Sequence, residues 1–398
     1  MIHFDTSLEI LDAVEISAFK TKKCYLMEAG GAILAEDIIT DHNSPAFPTS
    51  AMDGYAIRHE DITLGRLRIS SINPAGSDIQ ESVVAGCCIK TFTGSLMPVG
   101  SDTLIPIENV RVEGEEIVIV EPVPEGFSVR AIGENYAKGE CLITKGTKID
   151  FPQIGVMASL NIVSPLVYVK PTVAVLSTGS ELLELGETQQ RDAQIRSSNN
   201  YILESIVTKH GGEAMQLGCI HDDKATITQA VRDAMAKSDI VVTTGGVSVG
   251  DFDFVKDVIR ELGCEVLFKG VRIKPGQHIM VARKGDKFVV GLPGFAYSST
   301  VTALLYVVPL IKKLQAQPTT LTTVKGVLQE PFVKRAKKAE FTACNAHLEE
   351  GVYRVDFQGK KVGSSAILTN MLGEVALLMT TESDTSKSVG ESVDLLLL

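Results

Sequence analysis

Residues 240–258 read IVVTTGGVSVGDFDFVKDV: a β-branched run, a glycine-rich turn, then acids threaded into an amphipathic stretch. An apolar run that stops at glycines and gives way to a helical period is the strand–turn–helix of an α/β layer. The alternation continues on both sides. Strand-like TVAVLS (172–177), AMQLGCI (214–220) and DIVVTT (239–244) alternate with helix-like NYILESIVTKHGG (200–212), KATITQAVRDAMAKS (224–238) and FDFVKDVIRELG (252–263). This predicts a parallel α/β sheet over about 171–314. Two further runs, HIMVA (278–282) and KFVVGL (287–292), lead to a last helix, AYSSTVTALLYVVPLIKKL (296–314). Before residue 170 the pattern is short β-rich runs cut by Gly and Pro, among them CCIKTF (87–92), DTLIPIENV (102–110) and EEIVIVEPV (115–123). After QAQPTT (315–320), a linker by composition, VYRVDF (352–357) and EVALLMTT (374–381) predict a small C-terminal β domain.

Composition narrows the function classes. A chain of 398 residues exceeds what one hydrophobic core usually serves, so two to four domains are expected. Its 44% apolar and 22% charged residues are those of a globular protein, with no apolar run long enough to span a bilayer. The opening MIHFDTSLEI has neither the basic nor the apolar region of an export signal, so a cytoplasmic address is expected. Seven cysteines without a CxxC pair argue against a disulfide framework or a zinc site and suggest buried or inert thiols. A net charge of −11, and the absence of Trp or a basic–aromatic stripe, disfavour nucleic acid and anionic membranes as partners. An anionic ligand would have to meet a locally basic pocket.

In an open parallel sheet the functional loops lie at the carboxyl ends of the strands, where helix N-termini present free N–H groups. Those ends are expected to carry STGSEL (177–182), HDD (221–223), TTGGVSVGDFD (243–253), KPGQ (274–277) and LPGFAYSS (292–299). GVSVG fits a hydrolase nucleophile elbow at Ser248, but only His278 and His347 follow it as possible bases, neither in a recognisable loop. A Walker-type phosphate loop is absent. The alternative is an anion cradle in which Gly245, Gly246 and Gly250 expose backbone N–H groups and Ser248 adds a hydroxyl. Asp251 and Asp253 beside such a phosphate would imply a hard cation such as Mg²⁺, unless they merely cap the following helix. Glu181 and Asp222 at neighbouring strand ends favour the metal. Lys274, flanked by Lys269 and Arg272, would neutralise an oxyanion, and Gly294, Ser298 and Ser299 offer a turn and further donors.

These motifs resemble those of a known family. ILAEDI (33–38), SPAFPTSAMDGYAIR (44–58), FTGSLMPVGSDTLIPIEN (92–109), VRAIGEN (129–135), STGSEL, SSNNYIL (197–203), TTGGVSVGDFDFVKD, KPGQ and GLPGFAYSS follow in the order of the molybdopterin molybdenumtransferases, the MoeA family related to the gephyrin E domain. The resemblance implies Mg²⁺-dependent cleavage of adenylyl-molybdopterin with insertion of molybdate and release of AMP. It also implies an elongated homodimer whose cleft lies between the α/β domain of one subunit and the SAMDGYA domain of the other. The implied domains are a discontinuous linking domain (1–45 and 138–170), an inserted β-rich domain (46–137), a three-layer molybdopterin-binding α/β domain (171–315) and a barrel-like C-terminal β domain (321–398). Carried over by motif, Asp53, Glu181, Asp222, Asp253 and Lys274 form the catalytic set, with Glu181, Asp222 and Asp253 on the metal. Thr93, Arg130, Gly245, Gly246, Ser248, Gly250, Asp251, Gly294, Ser298 and Ser299 would bind substrate. A molybdopterin adenylyltransferase and molybdoenzymes or cofactor carriers would be partners. The chain departs from the family pattern at Asn135, Gly270, Gln277, Phe295, Ala296 and Lys338, which leaves open a non-catalytic pterin-binding scaffold or a tungstate-preferring paralogue. A competence-damage-type nucleotide hydrolase shares only the GGVSVGDFD region, and the SAMDGYA segment argues against it.

Overall fold

The computed structural model describes residues 1–78, 81–221, 223–246, 255–361, 364 and 366–398. The chain folds as two compact units, one of residues 36–163 and one of residues 1–35 with 164–398.

The 36–163 unit is built on a six-stranded sheet. Its strands are β1 (Gly54–Ile57), β2 (Arg66–Asn73), β3 (Cys87–Thr91), β4 (Thr103–Pro106), β5 (Val110–Glu113) and β6 (Glu116–Ile119), in spatial order β4-β1-β3-β2-β6-β5. All neighbours are antiparallel except β2 and β3. Tyr55, Ile57, Leu67, Cys88, Ile105 and Ile117 form its core. Gly54 has no alternative residue: a Cβ there would lie 2.3 Å from the Ile105 carbonyl oxygen on β4. That close approach fixes where the chain enters β1, and hence the position of Asp53.

The larger unit contains the expected α/β layer. Its strands are β7 (Thr172–Thr178), β8 (Glu213–Ile220), β9 (Ile240–Thr244), β10 (Glu265–Lys269), β11 (Met280–Lys284) and β12 (Lys287–Leu292), ordered β8-β7-β9-β12-β11-β10. The first four are parallel, as the alternating pattern predicts, whereas β11 runs against both neighbours. The sheet is therefore mixed rather than wholly parallel. Only Gly285 and Asp286 separate β11 from β12, far too little chain for a crossover, and Gly285 takes the positive φ (60°) that a tight hairpin turn needs. The strand β10, not singled out by the apolar pattern, completes that edge.

Strand alternation sorts the core into two faces. Val173, Val175, Ile240, Val242, Phe288 and Val290 pack with α1 (Phe4–Ala13), α2 (Asn199–Lys209), α5 (Ala296–Thr302) and α6 (Val308–Lys313). Ala174, Leu176, Val241 and Val289 face α3 (Lys224–Lys237) and α4 (Val255–Glu261). Three layers result. The last helical stretch is not one regular helix, because a π-helical turn, Ala303–Val307, separates α5 from α6. Pro309 supplies the cause, since it has no N–H to donate and its ring would crowd the carbonyl of residue 305.

The C-terminal part is a closed five-stranded barrel of β13 (Val324–Leu328), β14 (Ala339–Glu349), β15 (Val352–Asp356), β16 (Val375–Thr380) and β17 (Ser392–Leu397). Cys344, Ala346, Ala376, Leu378, Val393 and Leu395 fill it. Their neighbours Phe341, Ala343, Val375, Leu377 and Leu396 point outward and join the α/β core. There the ring of Phe4 meets Phe341 edge-on at 5.1 Å. The Tyr297 hydroxyl donates to the Phe341 carbonyl oxygen (3.0 Å) and accepts from the Ala343 N–H (2.9 Å). Burial pushes this phenol's pKa up to about 12, so it keeps its proton and its donor role.

The cysteines are free thiols. Burial raises Cys88 and Cys344 to about 12, in keeping with inertness, while Cys141 lies at the surface. Among the described residues no helix is long and apolar enough to cross a membrane.

Replacing Tyr297 with Phe strips β14 of two buried hydrogen bonds while keeping the ring. We expect a loss of about 1–3 kcal/mol, read as a lower urea midpoint with unchanged far-UV circular dichroism.

Candidate functional site

The register of the parallel strands lines up their carboxyl ends. Ser177 pairs with Thr244, Thr178 with Ile220, and Thr244 with Leu292. The loops that follow, at 179–183, 221, 245–246 and 293–295, therefore leave the sheet at one level. Gly245 is fixed by three constraints. Its φ is 87°, its N–H donates to the Leu292 carbonyl oxygen (3.1 Å), and a Cβ on it would lie 2.8 Å from the Thr178 carbonyl oxygen. Gly246 follows with φ 66°. Gly294 lies alongside, since a Cβ built on it would be 4.0 Å from the Gly245 Cα. The glycine turn and the LPG turn thus share one edge.

The carboxylate of Glu181 folds over Gly179, so closely that a Cβ on that glycine would sit 2.8 Å from Oε1. Among the described residues this carboxylate has no hydrogen-bond or ion-pair partner, so it presents two hard oxygen donors at the rim. That suits Mg²⁺, which takes carboxylate oxygens. Asp222, Ser248, Gly250, Asp251 and Asp253 lie outside the described residues. Among the described residues no cluster of three or more His, Cys, Asp or Glu side chains is assembled for a metal. Asp223 is the N-cap of α3, accepting from the Thr226 N–H (2.8 Å) and hydroxyl (2.6 Å), and these bonds hold its pKa below the usual carboxylate range.

Ser298 and Ser299 sit in the first turn of α5, both buried. The Ser299 hydroxyl is engaged inside the fold, at 3.1 Å from both Asn199 Oδ1 and the Ala296 carbonyl oxygen.

KPGQ is not a strand end of the α/β sheet. Ile273–Lys274 is a two-residue strand paired in parallel with Ala339 and Glu340 of the barrel. The turn nevertheless reaches the rim's last helix. Gly276 (φ 92°) approaches α5 so closely that a Cβ on it would lie 2.2 Å from Thr302 Cγ2 and 3.6 Å from the Ser298 carbonyl oxygen. Lys274 Nζ stands 3.5 Å from Glu340 Oε1. Glu340 is only 3% exposed, and both residues line a cavity of about 40 Å³ with Tyr297, Arg335, Thr342 and Ser364. Arg272 turns elsewhere, its Nε to Glu382 (2.9 Å) and its Nη2 to the Lys337 carbonyl oxygen (3.3 Å).

The sequence pattern does not single out Glu340, Arg335 or Tyr297. A single carboxylate inside the apolar strand run AEFTA is the one available signal for Glu340. Two departures from the family pattern meet here, for the Lys338 ammonium donates to Gln277 Oε1, while the Gln277 amide contacts His278 Nε2 at 2.9 Å. Phe295 is 62% exposed at the N-cap of α5, and Ala296 begins that helix. Gly270 takes φ 71° against Met1.

In the 36–163 unit, Asp53 just precedes β1 and Thr93 closely follows β3, two adjacent strands. The Thr93 hydroxyl (2.7 Å) and N–H (2.9 Å) both donate to Asp53 Oδ1. These bonds, the hydroxyl's foremost, hold the Asp53 pKa below the usual carboxylate range. Arg130 pairs in register with Thr49, and its Nε donates to Glu134 Oε1 at 2.9 Å. Asn135 bonds through its backbone to the Ser44 carbonyl oxygen (2.8 Å) and through Nδ2 to the Ser44 hydroxyl (3.4 Å).

A mixed three-layer α/β domain with glycine turns at its strand ends, joined to a five-stranded barrel, is of the doubly wound class, whose ligands bind at the carboxyl ends of the strands. Comparison with known proteins specifies the family. The profile of the MoeA N-terminal region (domain I and II) matches residues 2–161, and that of a probable molybdopterin binding domain matches residues 174–313. The molybdopterin molybdenumtransferase of Haemophilus influenzae is 33% identical over 359 residues, 88% of either chain. That of a Nostoc species is 31% identical over 379 residues, 92% of this chain and 86% of its own. The crystal structure of the molybdopterin biosynthesis MoeA protein from Pyrococcus horikoshii superposes along the full length of both chains with a TM-score of 0.85 and 31% identity. The chain belongs to the molybdopterin molybdenumtransferase (MoeA) family.

Two substitutions test the local geometry. Thr93→Val removes the hydroxyl donor and should raise the Asp53 pKa, read by carbon NMR titration of the carboxyl group. The sign follows from linkage: a depressed carboxylate gives stability that is present above the ordinary carboxylate range and lost as pH falls through the depressed value. The variant should therefore lose less stability on acidification. Gly245→Ala sets a Cβ against the Thr178 carbonyl at positive φ and should lower the melting temperature, whereas an unchanged melt would mean the turn can relax.

Proposed function

We propose that this protein inserts molybdate into adenylyl-molybdopterin, cleaving the adenylate from the pterin phosphate and releasing AMP, with Mg²⁺ required. Family membership makes it a transferase of molybdenum cofactor biosynthesis. The observation that carries the finer reading is the shared edge where Gly245, Gly246, Gly294 and Glu181 stand at aligned strand ends. The Gly245 N–H is taken by the Leu292 carbonyl oxygen, contrary to the expectation that it would be exposed, so the backbone N–H groups that suit phosphate are those of Gly246 and Gly294 beside it.

Glu181, Asp222 and Asp253 would hold Mg²⁺, and Asp53 of the smaller unit would be a further catalytic carboxylate. Bound there, the ion would neutralise phosphate oxygens and make the adenylate a better leaving group. Lys274, held beside Glu340, supplies a positive charge for molybdate or phosphate. Thr93, on this geometry, orients Asp53. Arg130, Gly250, Asp251, Ser248, Ser298 and Ser299 belong to the substrate-binding surface. The protein would act as a cytoplasmic homodimer, receiving substrate from a molybdopterin adenylyltransferase and passing cofactor to molybdoenzymes or their carriers.

Purified protein incubated with adenylyl-molybdopterin, Mg²⁺ and molybdate should release AMP and form active cofactor, and chelation of Mg²⁺ should stop both. Bound but uncleaved ligand would replace the transferase with a scaffold. Asp253→Asn should abolish turnover with the melting temperature retained, and retained activity would remove that residue from the catalytic set.

A further inference from the structure

The four parallel strand ends are tied together by one dipeptide that phosphate and metal chemistry did not call for. Asn199 and Asn200 open α2 and are 9% and 1% exposed. Asn199 Nδ2 donates to the Gly294 carbonyl oxygen at 2.8 Å, and its Oδ1 accepts from the Ser299 hydroxyl at 3.1 Å. One amide therefore grips the LPGFAYSS segment on both sides of Phe295, Ala296, Tyr297 and Ser298.

Asn200 works in the other direction. Its Oδ1 accepts from the Ser177 hydroxyl at 2.6 Å. A carbonyl oxygen only accepts, so the single Ser177 proton is committed there. The 2.7 Å contact between Ser177 and Thr244 must then run from the Thr244 hydroxyl to the Ser177 oxygen. This one-way chain joins the ends of β7 and β9 directly beneath Gly245. Asn200 Nδ2 contacts Cys219 Sγ near the end of β8 (3.9 Å), and the Asn200 main-chain carbonyl oxygen accepts from Gln216 Nε2 (2.7 Å) farther back on that strand. Every parallel strand or its loop is reached. The helix itself does not depend on these amides to stay in place, because Leu203 and Val207 bury it in the apolar core.

We propose that Asn199 and Asn200 are positioning residues of the transfer reaction, holding the LPG turn and the glycine turn at the spacing the substrate requires without touching it. The proposal rests on the function proposed above. A displacement of about 1 Å at a reacting centre can cost on the order of a hundredfold in rate, and two glycine turns have little packing of their own to resist it.

Asn199→Ala should lower kcat for molybdate-dependent AMP release by about ten- to a hundredfold, with little change in KM, native far-UV circular dichroism and a lowered melting temperature from the two buried hydrogen bonds lost. A folded variant with wild-type kcat would overturn the proposal. A readout independent of activity separates it from the function itself. Amide hydrogen exchange across 244–246 and 292–296 should quicken together in Asn199→Ala, even if the wild-type protein proves to be a scaffold that releases no AMP. Unchanged exchange at both turns would remove the hub whatever the reaction is.

Discussion

The parallel register of β7, β9 and β12 is the constraint on which the candidate site depends. Val173, Val175, Val242 and Val290 are buried on one face, and Ala174, Val241 and Val289 on the other. A strand buried on both sides cannot slip by one residue without exchanging the faces of its side chains. Because the register is locked in this way, Ser177, Thr244 and Leu292 end level with one another. The glycine and LPG turns inherit that alignment, and neither turn's own sequence could enforce it. Local chemistry at the rim is thus set by apolar packing several residues below it.

On that foundation polar groups do the finer placement. Thr93 holds Asp53 in the smaller unit, Asn199 and Asn200 hold the turns of the larger, and Glu340 holds Lys274. Each arrangement pairs a residue of the expected chemistry with a second residue that fixes its direction. Such supporting partners are as much a part of a working site as the groups that meet substrate.

Much of this is legible in the sequence. The α/β layer, the β-rich region before it and the terminal β domain follow from apolar period and turn residues, since burial imposes period 2 on strands and 3.6 on helices. The direction of β11 does not, because its orientation turns on a two-residue loop rather than on hydrophobicity. KPGQ misleads for a related reason. Its neighbours in sequence belong to the α/β sheet, while its hydrogen-bond partners at Ala339 and Glu340 lie some sixty residues onward. The Asn199 contacts with Gly294 and Ser299 are invisible in the same way. An amide at a helix start looks like a cap until tertiary structure brings a loop about a hundred residues away against it. The glycines are easier, because positive φ and close approach leave no other residue possible at Gly245 or Gly276.

The seam between the α/β layer and the barrel has a bearing on modularity. Tyr297 occupies a place in the hydrogen bonding of β14, Phe4 rests on Phe341, and the apolar core passes without a break from one to the other. By sequence the barrel reads as an appendage beyond a linker, the kind of domain that fusion and deletion shuffle freely. In this chain an excision at that linker would expose a phenol that had been bonded and an aromatic face that had been dry. Recombination at this boundary would have to replace the barrel with a surface of the same shape, so the two parts are bound to evolve as one.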